Sequence, residues 1–320
     1  MRRSLLEDIK GGIFGLVVGD ALGVPYEFLS REEMEKRPAR DMVGYGAHNQ
    51  PEGTWSDDSS LTLCLMESLC SGYDLRDIAL KFADWFYHNL WTPRGYVFDI
   101  GITTKEAIYE FKRGMTPELC GGLDEYSNGN GSLMRILPLA YYLNSVKDIN
   151  TRYDVVKRVS SITHGHFRSV FSCFIYVEFA ILILEGNNKN EAYSKLKKPI
   201  LDFAQHNEFN PKEIQLFSRI LEEDIAKQDR FNIEGTGYVL RSLEAAFWCL
   251  LNSETYEESV LKAVNLGEDT DTTAAITGGL AGLYFGYNNI PETWRFQLAR
   301  FEDIMDLIEQ FHSSLNNQNS

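Results

Sequence analysis

The stretch Leu5-Leu6-Glu7-Asp8-Ile9-Lys10-Gly11-Gly12-Ile13-Phe14-Gly15-Leu16-Val17 sets the fold class. Leu5, Leu6, Ile9, Ile13, Leu16 and Val17 recur at spacings of three and four, one apolar stripe of a helix. Asp57 to Leu69 repeats the pattern with Leu61, Cys64, Leu65, Ser68 and Leu69, and Gly72 stands where a helix C-cap belongs. Asp74 has the character of an N-cap, with Asp77 three residues on, ahead of Ile78, Phe82 and Phe86. Further helices are expected at about 103–113, 132–144, 152–162, 167–185, 190–206, 211–228, 237–252, 255–265, 271–286 and 291–313. Period-two alternation bounded by turns is hard to find, and neither a fixed repeat nor a Pro-, Ser- or charge-rich linker divides the chain. The expectation is an all-α fold, one domain over residues 1–315, followed by a short polar tail at 316–320.

Composition narrows the function classes. The chain has 320 residues, 44% of them hydrophobic, enough for a sizeable core. Its 31 Lys and Arg stand against 46 Asp and Glu, a net charge of −15. Such a surface repels phosphodiester backbones and anionic membrane faces, so neither nucleic acid nor membrane is an expected partner. A local pocket for one small phosphorylated ligand stays open. Residues 1–8 place Glu7 and Asp8 where a signal peptide needs its apolar stretch, so no secretory signal is expected. Val170 to Leu184 is short for a membrane span and carries Glu178 in its middle, which favours a buried helix. The five cysteines, Cys64, Cys70, Cys120, Cys173 and Cys249, are scattered without C-x-x-C spacing and read as reduced core residues of a cytoplasmic protein. A core accounts for the apolar helical faces, so a monomer is the expected state.

Four glycine-rich polar loops interrupt the helices: Gly19–Gly23, Gly53–Ser59, Asn128–Ser132 and Gly267–Thr273. Such loops free the backbone and offer oxygen ligands or N–H donors. Ser56-Asp57-Asp58 opens a helix, where adjacent side chains diverge by about 100°, so its two carboxylates suit two ions. Asp269 and Asp271 read as a turn into a helix that begins near Thr272. With the hydroxyls of Ser56 and Thr272 this is an all-oxygen donor set, suited to Mg²⁺ or Mn²⁺ rather than zinc. Taken singly, either loop reads equally well as a capped helix start, since Asp and Ser are preferred N-caps. Against that, each holds more carboxylates than one cap uses. Periodicity alone does not bring the two loops together.

Together, Gly19–Phe28, Thr54–Ser59, Phe98-Asp99-Ile100-Gly101, Gly129-Asn130-Gly131-Ser132-Leu133-Met134-Arg135, Thr163-His164 and Asp269-Thr270-Asp271-Thr272 resemble the ADP-ribosylglycohydrolase family, in that family's order and over nearly the whole chain. The resemblance implies a compact all-α domain around a binuclear site for two divalent cations, Mg²⁺ or Mn²⁺. It puts the metal ligands at Ser56, Asp57, Asp58, Asp269, Asp271 and Thr272. The first of these is usually Thr in the family; Ser56 keeps the hydroxyl and loses the methyl. The resemblance gives Gly129, Asn130, Gly131 and Ser132 to substrate binding, the backbone N–H groups of Asn130, Gly131 and Ser132 cradling a diphosphate at a helix start and Gly129 and Gly131 permitting close approach, and His164 to a contact near the phosphates or ribose. It makes Glu27 and Asp99 the catalytic carboxylates and Asp20 an organiser of the neighbouring loop. Arg135 is equally an ion-pair partner of the loops or a ligand contact. Trp55 and Tyr96 are candidates for the pocket wall or the core, core packing being preferred.

The activity implied is hydrolysis of the C1″ glycosidic bond of an ADP-ribosylated protein, with ADP-ribose as product. The Phe98–Gly101 match tilts the acceptor towards arginine. The competing readings are a catalytically silent ADP-ribose-binding or crystallin-like protein, and a hydrolase of serine-linked or small-molecule conjugates.

Overall fold

The computed structural model describes residues 3–318. In chain order the helices are α1 Leu5–Gly23, α2 Arg31–Lys36, α3 Asp57–Leu69, α4 Leu75–His88 and α5 Ile102–Lys112. They continue with α6 Pro138–Leu143, α7 Ile149–Ser161, α8 Phe167–Leu184, α9 Lys189–His206, α10 Pro211–Gln215 and α11 Ser218–Leu221. The last are α12 Val239–Leu251, α13 Tyr256–Val264, α14 Thr270–Phe285, α15 Glu292–Gln297 and α16 Phe301–Gln318. Among the described residues β pairing is confined to the isolated bridges Tyr45–Gln50, Gly122–His164 and Gly129–Tyr238. The fold is all-α, as the periodicity predicts.

Four expected elements differ. The expected 132–144 helix starts only at Pro138, because proline has no N–H to give residue 134 and disfavours helical backbone before it. Residues 131–135 form a turn instead. The expected 211–228 helix breaks into α10, α11 and a 3₁₀ turn, where the Asp224 side chain accepts from the Ala226 N–H and opens a new start. The 291–313 helix is interrupted at Leu298–Arg300: the Ala299 N–H donates to the Gly53 carbonyl (2.9 Å), and the Trp55 indole donates to the Ala299 carbonyl (3.0 Å). Helix α16 runs through Asn316 and Asn317 to Gln318, so part of the expected tail is helical. The rest of that tail, Asn319 and Ser320, and Met1 and Arg2 of the signal-peptide reading, lie outside the described residues.

Helix α8 is long and apolar enough to cross a membrane, yet 83% of it is buried inside the protein. Glu178 in its middle meets Arg152 of α7 through two 2.6 Å contacts. It packs as a core helix.

The framework of the site is the antiparallel pair α1–α14. At Gly15 a Cβ would lie 2.3 Å from the Gly278 carbonyl oxygen, and at Gly19 2.1 Å from that of Ala274. Only a bare backbone lets the helices approach this closely. The contact sets the end of α1 beside the start of α14, and the Thr270 hydroxyl fastens it by donating to the Gly23 carbonyl (2.8 Å).

Candidate active site

Each acidic loop is a helix start, and two anchors bring them together. Asp20, buried in the last turn of α1, accepts from the Ser56 N–H at both oxygens (2.9 and 3.0 Å), the Ser59 N–H (3.0 Å) and the Ser59 hydroxyl (2.5 Å). This fixes the start of α3, where Ser56 Oγ accepts from the Asp58 N–H (3.3 Å). From 214 residues further on, the Thr272 hydroxyl donates to Asp58 Oδ1 (3.2 Å). Glu27 joins them because its loop is stitched to the start of α14: the Phe28 N–H donates to the Glu268 carbonyl (2.7 Å) and the Glu268 N–H to that of Leu29 (2.6 Å).

Carboxylates therefore converge. Oxygens of Asp20, Asp58 and Asp271 lie within 4.8 Å of one another, as do those of Glu27, Asp269 and Asp271. Glu27, Asp99 and His48 form a third such group. Among the described residues no Lys or Arg pairs with Asp20, Asp57, Asp58, Asp269 or Asp271, and the buried Asp58 Oδ2 has no hydrogen-bond partner. Burial is the leading cause that raises the carboxyls of Asp57, Asp58 and Asp271 well above the usual range, with neighbouring carboxylates adding to it. Burial also pushes Asp20 up to about 6 and raises Glu27 and Asp99, against hydrogen bonds from Ser59 and His48 that favour the charged forms of Asp20 and Glu27. Buried, mutually repelling carboxylates are costly unless a positive charge joins them. The N-termini of α3 and α14 supply part of it. The oxygen-only donors and the unpartnered Asp58 oxygen fit hard divalent cations. Ser56 Oγ also caps α3, and accepting the Asp58 N–H leaves its second lone pair for a cation.

This gives a pH signature. Carboxyls raised by folding leave the native state holding more protons than the unfolded chain, so stability falls as pH rises from the unfolded value of about 4 through the raised folded ones. Buried His164 works oppositely, its value lowered to about 3 first by burial and then by Arg135, but that contribution is complete above about pH 6.5. Chelator-treated protein is expected to melt progressively lower as pH rises above about 6.5, and saturating Mg²⁺ to flatten the trend. A midpoint that rises with pH in chelator would contradict this electrostatic reading.

A cavity of about 270 Å³ opens over the cluster, walled by Glu27, Asp57, Asp99, Asp269 and Thr272 on one side and by Gly129, Asn130, Gly131 and His164 on the other. Asp58 and Asp271 lie beneath it. The glycine loop departs from expectation in three ways. The Asn130 N–H is spent on the Gly237 carbonyl (3.1 Å), so it is not offered to a ligand. The Asn130 amide instead donates to Asp269 Oδ2 (2.8 Å) and Ser242 Oγ (2.9 Å). The Ser132 hydroxyl turns into the core to Ser160 Oγ (2.9 Å) and Cys173 Sγ (3.4 Å). The backbone N–H groups of Gly131 and Ser132 have no partner among the described residues, and they open a single turn rather than a long helix.

Arg135 forms no ion pair among the described residues and does not line the cavity. Trp55 is core; Tyr96 is half exposed and hydrogen-bonded to Gln50 Oε1 (2.7 Å). Sequence reasoning missed His48, whose Nε2 bonds Glu27 Oε2, because a lone histidine in a loop carries no spacing signal. It also missed Ser242 and Thr104, the latter a buried cavity residue.

The ADP-ribosylglycohydrolase family description matches residues 1–320. The chain is 32% identical over 309 residues to ADP-ribosylarginine hydrolase Tri1 of Serratia proteamaculans (strain 568), spanning 95% of this chain and 79% of that protein. It is 26% identical over 300 residues to the ADP-ribosyl-[dinitrogen reductase] glycohydrolase of Rhodospirillum rubrum, spanning 92% and 91%. A solved ADP-ribosylglycohydrolase-related protein complex superposes with a TM-score of 0.81 at 29% identity, over 97% of this chain and 99% of that one. An all-α chain with this acidic cleft, matched from end to end, belongs to the ADP-ribosylglycohydrolase family.

Proposed function

We propose that this chain is a divalent-cation-dependent hydrolase that removes ADP-ribose from arginine side chains of modified proteins. The observation that carries the reading is the cleft itself: Glu27, Asp57, Asp99 and Asp269 wall one cavity, Asp20, Asp58 and Asp271 cluster together, oxygens of Asp271 also grouping with Glu27 and Asp269, and among the described residues a buried oxygen of Asp58 is left unpartnered. Arginine is favoured by the Phe98-Asp99-Ile100-Gly101 segment and by similarity, at 32% and 30% identity, to two ADP-ribosylarginine hydrolases. Five free cysteines, four of them buried, support a cytoplasmic setting.

Ser56, Asp57, Asp58, Asp269, Asp271 and Thr272 would hold the cations. Divalent cations bound there supply Lewis acidity and orient the sugar. The chain's own groups do the rest. The N–H groups of Gly131 and Ser132 receive the diphosphate. The carboxylates facing the cavity stabilise the positive charge that builds on the ribose as the C1″ bond breaks. Glu27 and Asp99 move the protons, since both face the cavity and burial raises both towards neutrality. His48 holds Glu27 in position.

The test is release of free ADP-ribose from arginine-linked and serine-linked substrates. Turnover of the arginine substrate, lost in Asp271→Ala, is expected; turnover of the serine substrate alone would reassign the linkage, and none on either would leave a silent binder. Glu27→Gln and Asp99→Asn are each expected to lower kcat by about 10²–10⁴-fold. Full activity in either variant would remove that residue from proton transfer.

A further inference from the structure

Arg135 is wholly buried and, among the described residues, forms no ion pair and leaves Nε and Nη1 without a partner. Burying a guanidinium this way is strongly disfavoured, so what it touches is informative. It lies 4.6 Å over the Phe82 ring, makes a long 3.4 Å contact to the Val159 carbonyl, and makes one close bond, from Nη2 to Thr163 Oγ1 (2.7 Å). Thr163 Oγ1 in turn lies 2.9 Å from His164 Nδ1. A guanidinium only donates, so the threonine hydroxyl accepts from it. The hydroxyl's own proton then has one acceptor within reach among the described residues, His164 Nδ1. That leaves the imidazole proton on Nε2.

The Nε2 edge of the ring is the one that faces the ligand cavity. A Cβ at Gly129 would lie 3.5 Å from Nε2, and one at Gly131 2.8 Å from Cε1 and 3.3 Å from Nε2. Nε2 has no protein partner among the described residues, while the backbone of His164 is pinned by its N–H to Ser160 O (2.8 Å) and its carbonyl to Ser160 Oγ (2.9 Å). We propose that Arg135, acting through Thr163, is a positioning residue that holds His164 as the Nε2–H tautomer, a neutral donor aimed at an oxygen of the bound diphosphate-ribose. The proposal rests on reading the cavity as an ADP-ribose site. Burial and the Arg135 charge both keep the ring neutral, so the donor does not become a cation in an acidic cleft.

The tautomer is read directly by ¹⁵N–¹H NMR of histidine-labelled, ligand-free protein. His164 is expected to carry its proton on Nε2; a proton on Nδ1 overturns the proposal. Thr163→Val removes the relay at nearly constant shape. It is expected to mix the tautomers and to weaken ADP-ribose binding about 3- to 10-fold, the worth of one neutral hydrogen bond, with Thr163→Ser restoring both. Unchanged tautomer and affinity in Thr163→Val would overturn the relay. Arg135→Met separates positioning from structure: a melting midpoint equal to or above wild type with the same loss of affinity is expected. A lowered midpoint with unchanged affinity would make Arg135 merely structural. Failure of the wild type to bind ADP-ribose while His164 is in the Nε2–H form would instead remove the functional reading and leave the tautomer assignment standing.

Discussion

Asp58→Asn is expected to lower ADP-ribose release at least about 100-fold while leaving the chelator-treated protein as stable as wild type or more so. Asparagine keeps the volume and the oxygen that accepts from the Thr272 hydroxyl. It replaces only the buried Oδ2, unpartnered among the described residues, and removes an ionisable group from a cluster in which Asp20, Asp57, Asp269 and Asp99 all disfavour ionisation of Asp58. Losing that repulsion stabilises the empty site. Losing a direct cation ligand costs more than the roughly 10–100-fold that outer partners alone contribute to a metal site. Melting curves with EDTA and with saturating Mg²⁺ separate the two effects: wild type gains stability from the cation and Asp58→Asn does not. A variant that keeps both turnover and the cation-induced shift would exclude Asp58 as a ligand.

The second large effect comes from outside the cavity. Gly19→Ala places a Cβ 2.1 Å from the Ala274 carbonyl oxygen and 2.7 Å from its carbon. Both are backbone atoms of a helix, so no side chain can swing aside and α14 must move. The cost belongs at the upper end of overpacking penalties, about 3 kcal/mol. The start of α14 carries Asp269, Asp271 and Thr272, so the shift also displaces half of the acidic cleft, and a misplacement of about 1 Å costs roughly 100-fold in rate. Denaturant titration and turnover of the folded fraction measure the two losses separately. Wild-type stability and activity would show that the helices have room to separate.

Periodicity predicted the core helices well where one apolar face decides the outcome, as in α1, α3, α8 and α12. It began ahead of α6 and ran past α11 and α15, for different reasons. Pro138 was a readable start signal, a proline at the first helical position, that the apolar run before it concealed. The break at Leu298–Arg300 is tertiary, since Ala299 leaves the helix to pair with Gly53 and Trp55 from the other end of the chain. The acidic loops were visible as carboxylate-rich helix starts, but their meeting came from family resemblance. A physical signal for it was present: Gly11, Gly15, Gly19 and Gly23 recur every four residues, as do Gly278 and Gly282. Two such ridges predict a helix pair in backbone contact, and with it the convergence of Asp20 and Asp271. His48 and the Arg135–Thr163–His164 relay had no such signal, because side chains brought together by loops leave no period.

This acidic cleft is expected to release ADP-ribose only when it holds divalent cations. The most direct measurement is to titrate Mn²⁺ into chelator-treated protein and follow free ADP-ribose from an arginine-modified substrate. No release is expected before addition, then a rise to saturation with the cation, and no rise in Asp271→Ala. Undiminished release in excess chelator would contradict this expectation.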